Sequence, residues 1–284
     1  MASDHAEAVG GSCTLSCMPF AQASSATIHY TVEGAGEETI LLVMGLGGHA
    51  AEWGQAFVAD LARDHRVVRM DNRGIAQSQT SAQTWTMSDM ADDARAVLDA
   101  LGLARVYVVG TSMGGMVAQL LAAEHASRVS KLVLMSTSFG GRDSVPPTDK
   151  GAAAFGPLPG ATVGEQRRRG LRMLTSDGFA DDHPDLIDML VSQRERNPTS
   201  LPTFKAQFEA IMNSDRSQLV EKIKAPTLVI HGDLDPLIPP KNGLLLSQRI
   251  AGARFELIEG CGHLPHLEKS VETAALIRDF FAAP

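Results

Sequence analysis

The sequence predicts an α/β fold in which helices cover both faces of a mostly parallel, doubly wound sheet. Short segments that are apolar throughout recur along the chain, and segments with helical periodicity lie between several of them. Strands without polar alternation are typical of parallel sheets that are buried on both faces. The alternation of such strands with helices therefore indicates a doubly wound arrangement.

Six segments have the length and composition of buried strands. They are residues 39–44, 67–70, 106–109, 132–135, 227–230 and 255–258. The clearest helix covers residues 87–101, because Thr86 and Asp89 form a capping-box pattern before it and Gly102 follows it. Two further helices are predicted from residue 113 to about 125 and over residues 270–281.

Residues 140–223, called the insertion below, interrupt this alternation. They contain Pro- and Gly-rich turns followed by helix-like segments, and they offer no convincing buried strand. We therefore predict a helical cap between two core strands, placed over the carboxyl ends of the strands, where open α/β sheets bind their ligands. We expect the core domain to comprise residues 25–139 and 224–284, and residues 1–24 to form a Ser/Ala/Gly-rich leader with some disorder.

Composition excludes several classes of function. The formal net charge of −8 gives no attraction to nucleic acid or to anionic membranes, and no apolar segment approaches the roughly 20 residues of a membrane span. Three cysteines and the lack of a basic segment near the N-terminus favour a cytoplasmic protein without a signal peptide. Cys13 and Cys17 are interpreted as incidental thiols, because no second pair of metal ligands lies near them.

A nucleophilic serine is predicted at position 112. The sequence Gly110-Thr111-Ser112-Met113-Gly114 follows a predicted strand and precedes a predicted helix, which is the context that gives a G-x-S-x-G pattern its meaning. Glycines are needed on both sides because a side chain there would collide with the neighbouring strand or helix. A serine that merely caps the helix is the alternative interpretation.

A serine hydroxyl needs a base and an acid that orients the base. His263 is the predicted base, because it lies in a Gly-flanked loop after a core strand and after the predicted acid, Asp235. Asp233 is the alternative acid, although it is better suited to bracing the turn. His266 and His231 are the alternative histidines, and both are interpreted as packing or loop residues. No metal is expected, since no further ligand spacing accompanies His263 and His266.

The intermediate of acyl transfer carries an oxyanion, which backbone N–H groups must stabilise. We predict Met113, directly after the nucleophile, and Leu46 as the two donors. Leu46 lies in a Gly-rich loop, residues 44–48, in which Gly45 lets the backbone approach a substrate closely. This loop matches neither the G-x-G-x-x-G pattern nor a P-loop, so phosphate binding is disfavoured.

These motifs resemble the α/β-hydrolase superfamily, especially its enol-lactonase, esterase and cofactor-free haloperoxidase-like branch. The resemblance covers about residues 25–284 and rests on residues 44–47, 71–78, 110–115, 235–236 and 262–263. It implies an α/β-hydrolase fold, with the insertion as a helical cap that lines the acyl and alcohol pockets. Two positions depart from the family pattern: Met44 replaces a common histidine, and Ala76 replaces a glycine in a turn where a positive φ would be strained.

The predicted activity is hydrolysis of a carboxylic ester or lactone of a small, largely apolar molecule, without a cofactor. Perhydrolysis by the same residues and a ligand-sensing protein with negligible turnover are the alternatives. We expect a monomer or homodimer. Candidate substrate contacts in the cap and nearby are Trp53, Met173 and Met189, together with Phe155 and Phe208. A basic cluster formed by Arg167, Arg168, Arg169 and Arg172 is either a clamp for a carboxylate or, preferably, a solvated helix face.

Overall fold

One sheet organises the chain. The computed structural model describes residues 19–284, and within them nine strands lie in the order β1-β2-β4-β3-β6-β7-β8-β9, with β5 beside β2. The strands are β1 (Phe20–Gln22), β2 (Ala26–Glu33), β3 (Thr39–Val43), β4 (Arg66–Met70), β5 (Gln79–Thr80), β6 (Val106–Thr111), β7 (Val129–Met135), β8 (Thr227–Gly232) and β9 (Arg254–Ile258). The six strands from β4 to β9 along this order are parallel, and they are the six that the sequence predicts.

The antiparallel end of the sheet was not predicted. Strands β1, β2 and β5 pair with one another or with β4 in antiparallel fashion. Strand β1 lies within the residues assigned above to the leader. Cys13 and Cys17 lie outside the described residues.

Eleven α-helices lie within residues 19–284. They are α1 (Gln55–Leu61), α2 (Met87–Ala100), α3 (Met113–Glu124), α4 (Asp149–Ala153), α5 (Val163–Leu174), α6 (Phe179–Asp182), α7 (Pro184–Arg196), α8 (Leu201–Met212), α9 (Lys241–Arg249), α10 (Pro265–Glu268) and α11 (Ser270–Ala282). The predicted helices correspond to α2, α3 and α11. The capping box of Thr86 and Asp89 is present at the start of α2.

Strand β3 shows why the sheet is doubly wound. Leu41 and Val43 face a cluster shared with α2 and α3, whereas Ile40 and Leu42 face a second cluster shared with α1 and α11. All four side chains are fully buried. The continuous apolar segment of β3 therefore reflects burial on both faces of the sheet, as the sequence predicts.

The insertion lies between β7 and β8 and contributes helices α4 to α8. Helices α5, α6 and α7 have a small apolar core of their own, in which Leu171, Ile187 and Leu190 are buried. Leu264 and Leu267, which follow β9, pack against this core. The predicted helical insertion is therefore present, while its boundaries as a domain stay a prediction. Among the described residues, no helix combines the length and hydropathy that crossing a membrane requires.

Candidate active site

Ser112 occupies a sharp turn between β6 and α3. Its φ of 55° and ψ of −121° lie outside the common regions for a residue with a side chain. The turn is packed too tightly for larger neighbours: a Cβ on Gly110 would lie 2.4 Å from the Gly114 carbonyl oxygen, and one on Gly114 would lie 2.0 Å from the Val43 carbonyl oxygen. The strained turn leaves Ser112 only partly buried at the carboxyl end of the sheet.

Asp235 and His263 meet at the same end of the sheet. Asp235 follows β8, His263 follows β9, and the imidazole Nδ1 lies 2.8 Å from the carboxylate Oδ2. Because an ionised carboxylate only accepts hydrogen bonds, Nδ1 carries the proton and donates it. In the neutral form of the imidazole, Nε2 of His263 is then the nitrogen that can accept a proton.

The Asp235 carboxylate is fully provided with donors. Its Oδ1 atom accepts the backbone N–H groups of Leu237 and Ile238 at 2.9 and 3.0 Å. Its Oδ2 atom also lies 3.4 Å from Nε2 of His231, whose stronger hydrogen bond goes to the Ile238 carbonyl at 2.8 Å. Burial by itself would raise the pKa of Asp235, but His263 and His231 outweigh it and lower the pKa to about 2.

This depressed pKa predicts a pH dependence of stability. The folded protein holds Asp235 ionised more strongly than the unfolded chain does, so the contribution is present above the ordinary pKa of 3.8 and is lost as the pH falls toward about 2. A difference of this size corresponds to about 2 kcal/mol of unfolding free energy. We expect urea unfolding between pH 5 and pH 2 to show a steeper loss of stability for wild type than for Asp235→Asn. Parallel losses in the two proteins would contradict the assignment.

A second carboxylate, Glu268, fixes the loop that carries His263. It accepts hydrogen bonds from the backbone N–H groups of Gly262 and Leu264 at 3.0 and 3.2 Å, and from that of Ser176 in the insertion at 2.7 Å. The His263 N–H itself donates to the Leu174 carbonyl at 2.7 Å. The loop of the predicted base is therefore bound to the insertion on both sides of the histidine.

The predicted oxyanion loop lies against Ser112. A Cβ placed on Gly45 would be 3.1 Å from the Ser112 Cβ and 3.6 Å from its Oγ. Within residues 19–284, the amide N–H groups of Leu46 and Met113 have no hydrogen-bond acceptor, and no hydrogen bond joins Ser112 Oγ to His263.

Residues that the sequence did not single out hold this loop. Asn72 Nδ2 donates to the Met44 carbonyl at 2.9 Å. This bond holds the loop backbone at Met44, the position where the family commonly has a histidine. Gln207, Arg194 and Thr199 of the insertion bind Gly47. Asn72 belongs to the motif of residues 71–78, whereas nothing in the local sequence marks the other three. Ala76 has the positive φ, 47°, that the family glycine led us to expect there.

A cavity of about 580 Å³ lies between this loop and the insertion. Apolar side chains supply most of its wall, including Leu46, Phe155, Leu174 and Phe204. The other residues predicted to contact substrate do not border it. Trp53 is fully buried against Phe57 and His266, Met173 is partly buried in α5, and Met189 and Phe208 are exposed on α7 and α8.

The four clustered arginines do not act as one group. Arg168 and Arg172 pair with surface carboxylates, and Arg169 donates to a backbone carbonyl. Only Arg167 borders the cavity, where it shares the buried carboxylate of Glu52 with Arg194. Burial would raise the pKa of Glu52, but the two arginines and His49 outweigh it and lower the pKa. Burial also lowers the pKa of His49, so the cluster carries one positive charge in excess at neutral pH.

The alternative residues have structural partners. Asp233 accepts the Cys261 N–H at 3.1 Å and thereby braces the loop before His263. His266 is buried against Trp53, and burial together with the charge of His263 lowers its pKa to about 3. In the part of the chain that the structure describes, no group of three or more His, Cys, Asp or Glu side chains is arranged to hold a metal ion.

Comparison with known proteins agrees with this architecture. A relative from Escherichia coli K12, named a 2-hydroxy-6-oxononadienedioate/2-hydroxy-6-oxononatrienedioate hydrolase, is 29% identical over 280 residues, which cover 90% of this chain and 91% of that protein. The enol-lactonase of Burkholderia xenovorans LB400 has a TM-score of 0.80 at 25% identity, covering 93% of this chain and all of the other. An esterase from Rhodococcus sp. ECU1013 has a TM-score of 0.79 at 25% identity, covering 94% and 99%.

The family model of the alpha/beta hydrolase fold matches residues 38–270, a range that contains the serine turn, Asp235 and His263. Most of the sheet, the insertion and every residue of the candidate site therefore lie inside the match. This chain belongs to the alpha/beta hydrolase family and is a hydrolase.

Proposed function

We propose that this hydrolase cleaves a carboxylic ester or lactone of a small, largely apolar molecule through an acyl-enzyme intermediate. The observation that carries the proposal is the 2.8 Å hydrogen bond between Asp235 and His263 at the carboxyl end of the sheet, where Ser112 projects from its strained turn. Ser112 Oγ attacks the carbonyl, and His263 Nε2 takes its proton and returns it to the leaving oxygen. Water, deprotonated by the same nitrogen, then attacks the acyl carbonyl, and the proton returns to Ser112 Oγ as the acid is released. Asp235 orients the imidazole and stabilises its charged form.

The N–H groups of Leu46 and Met113 are proposed to stabilise the oxyanion. Both groups lack an acceptor among residues 19–284, and Gly45 brings the loop to within contact distance of the Ser112 side chain. Ser112 and His263 form no hydrogen bond among the described residues. This agrees with their proposed roles as nucleophile and base, because catalytic hydrogen bonds commonly tighten only when substrate is bound. The insertion is proposed to act as the cap that encloses the apolar cavity.

The test is turnover of a panel of p-nitrophenyl esters and lactones by the purified chain. Multiple turnover of a short-chain member supports hydrolysis and excludes a ligand-sensing protein with negligible turnover. Acetate and peroxide with a halogenation dye form a second arm, in which dye bleaching faster than ester hydrolysis would instead support perhydrolysis. Failure of every member of the panel would overturn the proposal.

A second candidate is hydrolysis of an oxo acid that carries a carboxylate, the kind of substrate named for the Escherichia coli relative. The observation that favours it is the excess positive charge of Arg167 and Arg194 at the wall of an otherwise apolar cavity. An unbalanced cation beside apolar surface favours an anionic group on the ligand.

Charge removal at the cavity wall tests this candidate. We expect Arg167→Gln to raise KM for a carboxylate-bearing ester or oxo acid about tenfold, the size expected for loss of one charge-assisted hydrogen bond, and to leave KM for a neutral ester unchanged. Arg168→Gln is the matched control, because its guanidinium pairs with Asp188 at the surface. Equal KM changes for charged and neutral substrates would remove the support for an anionic substrate.

A further inference from the structure

The turn that carries the proposed Leu46 donor is bound by the insertion. The N–H of Gly48 donates to the Gly45 carbonyl at 3.1 Å, which closes a four-residue turn with Leu46 and Gly47 at its centre. Gly47 has a φ of 63°, and Leu46 is not among the residues with positive φ. A positive φ at the third residue alone is the type II pattern, in which the central peptide is rotated about half a turn relative to type I.

Gln207, on α8, binds the central peptide of this turn. Its Oε1 atom accepts the Gly47 N–H at 2.8 Å, and its side chain is fully buried. The glutamine oxygen therefore anchors the turn at its central peptide, directly after Leu46.

The carbonyl of Gly47 is bound as well. Arg194 Nη1 donates to it, and Thr199 Oγ1 donates at 2.9 Å. Both polar backbone atoms of Gly47 are thus bound by side chains of the insertion. Arg194 also borders the cavity, whereas Gln207 does not, so Gln207 is the residue whose effect on the turn can be separated from an effect on substrate binding.

We propose that Gln207 is a positioning residue: by binding the Gly47 N–H it anchors the turn of residues 45–48, and with it the neighbouring Leu46 N–H that is proposed to stabilise the oxyanion. This inference rests on the proposed function, and it adds that stabilisation of the oxyanion requires Gln207 of α8. Loss of the acceptor would leave the N–H group of Gly47 without its buried partner, at a cost of about 1–3 kcal/mol, which is enough to displace the turn from its position against Ser112. Loss of one oxyanion donor lowers kcat by about 100- to 1,000-fold.

The experiment compares variants at two buried glutamines. Gln207→Met removes the acceptor, and Gln207→Glu keeps an oxygen acceptor at the same position. Gln119→Met is the matched control, because Gln119 is also fully buried and its amide binds Ser138 and Arg216 rather than the turn. For each protein, kcat and KM are measured on one neutral ester, and the midpoint of thermal unfolding is recorded. The affinity of phenylboronic acid is measured by calorimetry, because its tetrahedral adduct with Ser112 places an oxygen in the oxyanion site.

We expect Gln207→Met to lower kcat at least about 30-fold, with KM within about threefold of wild type and a loss of boronate affinity of similar size. Gln207→Glu should retain kcat within about fivefold, and Gln119→Met should retain both kcat and boronate affinity despite a similar loss of thermal stability. If Gln207→Met does not fold, Gln207→Asn, whose acceptor is one methylene further from Gly47, should show the same pattern with smaller losses.

Two results would overturn the inference. One is wild-type kcat and boronate affinity in a folded Gln207→Met protein, and the other is an equal loss in Gln119→Met at equal thermal stability. The boronate measurement does not depend on turnover. A wild-type protein that binds boronate at Ser112 but hydrolyses no ester or lactone would overturn the proposed function, and the boronate affinities of the Gln207 variants would still test the role of Gln207. A wild-type protein that neither binds boronate nor hydrolyses a substrate would overturn both proposals.

Discussion

Replacing Ser112 by alanine is expected to lower kcat on an ester by about 10⁵- to 10⁶-fold and to abolish labelling by a fluorophosphonate probe. The strained turn presents one hydroxyl to the carboxyl end of the sheet, and no acyl enzyme can form without it. Intact-mass measurement should show one adduct on wild type and none on Ser112→Ala.

Ser136 provides the control for this experiment. It also has a positive φ, 46°, and follows the neighbouring strand β7, but its side chain is fully buried. Ser136→Ala should therefore keep the adduct and most of the activity. An adduct that persists on Ser112→Ala would assign the reactive hydroxyl to another residue.

Asp235→Asn is expected to lower kcat by about 10³- to 10⁴-fold while leaving KM within about threefold of wild type. An asparagine keeps an oxygen for the N–H groups of Leu237 and Ile238, so it turns its NH₂ group toward His263. The imidazole must then accept at Nδ1 and carry its proton on Nε2, the nitrogen that has to receive the proton of Ser112. Steady-state kinetics on the same ester measure both constants.

Asp233→Asn separates the two candidate acids. Its carboxylate accepts one backbone N–H from Cys261 and makes no hydrogen bond to a histidine among the described residues, so we expect a loss of kcat below about tenfold. A larger loss for Asp233→Asn than for Asp235→Asn would exchange the assignments.

The parallel part of the sheet could be predicted because each of its strands contains a short, mostly apolar segment, and those of β3, β6, β7 and β8 are buried on both faces. The antiparallel end could not. Strand β2 mixes buried and partly exposed positions and includes His29, Thr31 and Glu33, so it lacks the continuous apolar signal on which the other strands were recognised. The short strands β1 and β5 depend on pairing with β2, which is a tertiary property and leaves no local pattern.

The candidate site divides in the same way. Ser112, Asp235 and His263 lie in the turn or loop that follows a strand, and strand ends can be located from local sequence. The wall of the cavity was predicted from residue type alone, and size and hydropathy do not distinguish Trp53, which packs into the core, from Phe155, which borders the cavity. Gln207 lies 160 positions after the glycine that it binds, so only the packed structure reveals the contact.

The hydrogen bonds of Glu268 limit how new substrate ranges can arise in this protein. Because the loop of His263 is attached to residues 174–176, replacing the whole insertion would detach the proposed base together with the proposed cap. Substitutions disturb the loop of His263 less in the segment from α4 to the start of α5. This segment contributes Phe155, Pro157 and Val163 to the cavity wall and makes none of these attachments. Directed evolution of this enzyme should therefore accumulate accepted changes in residues 154–163 and reject them in residues 174–176.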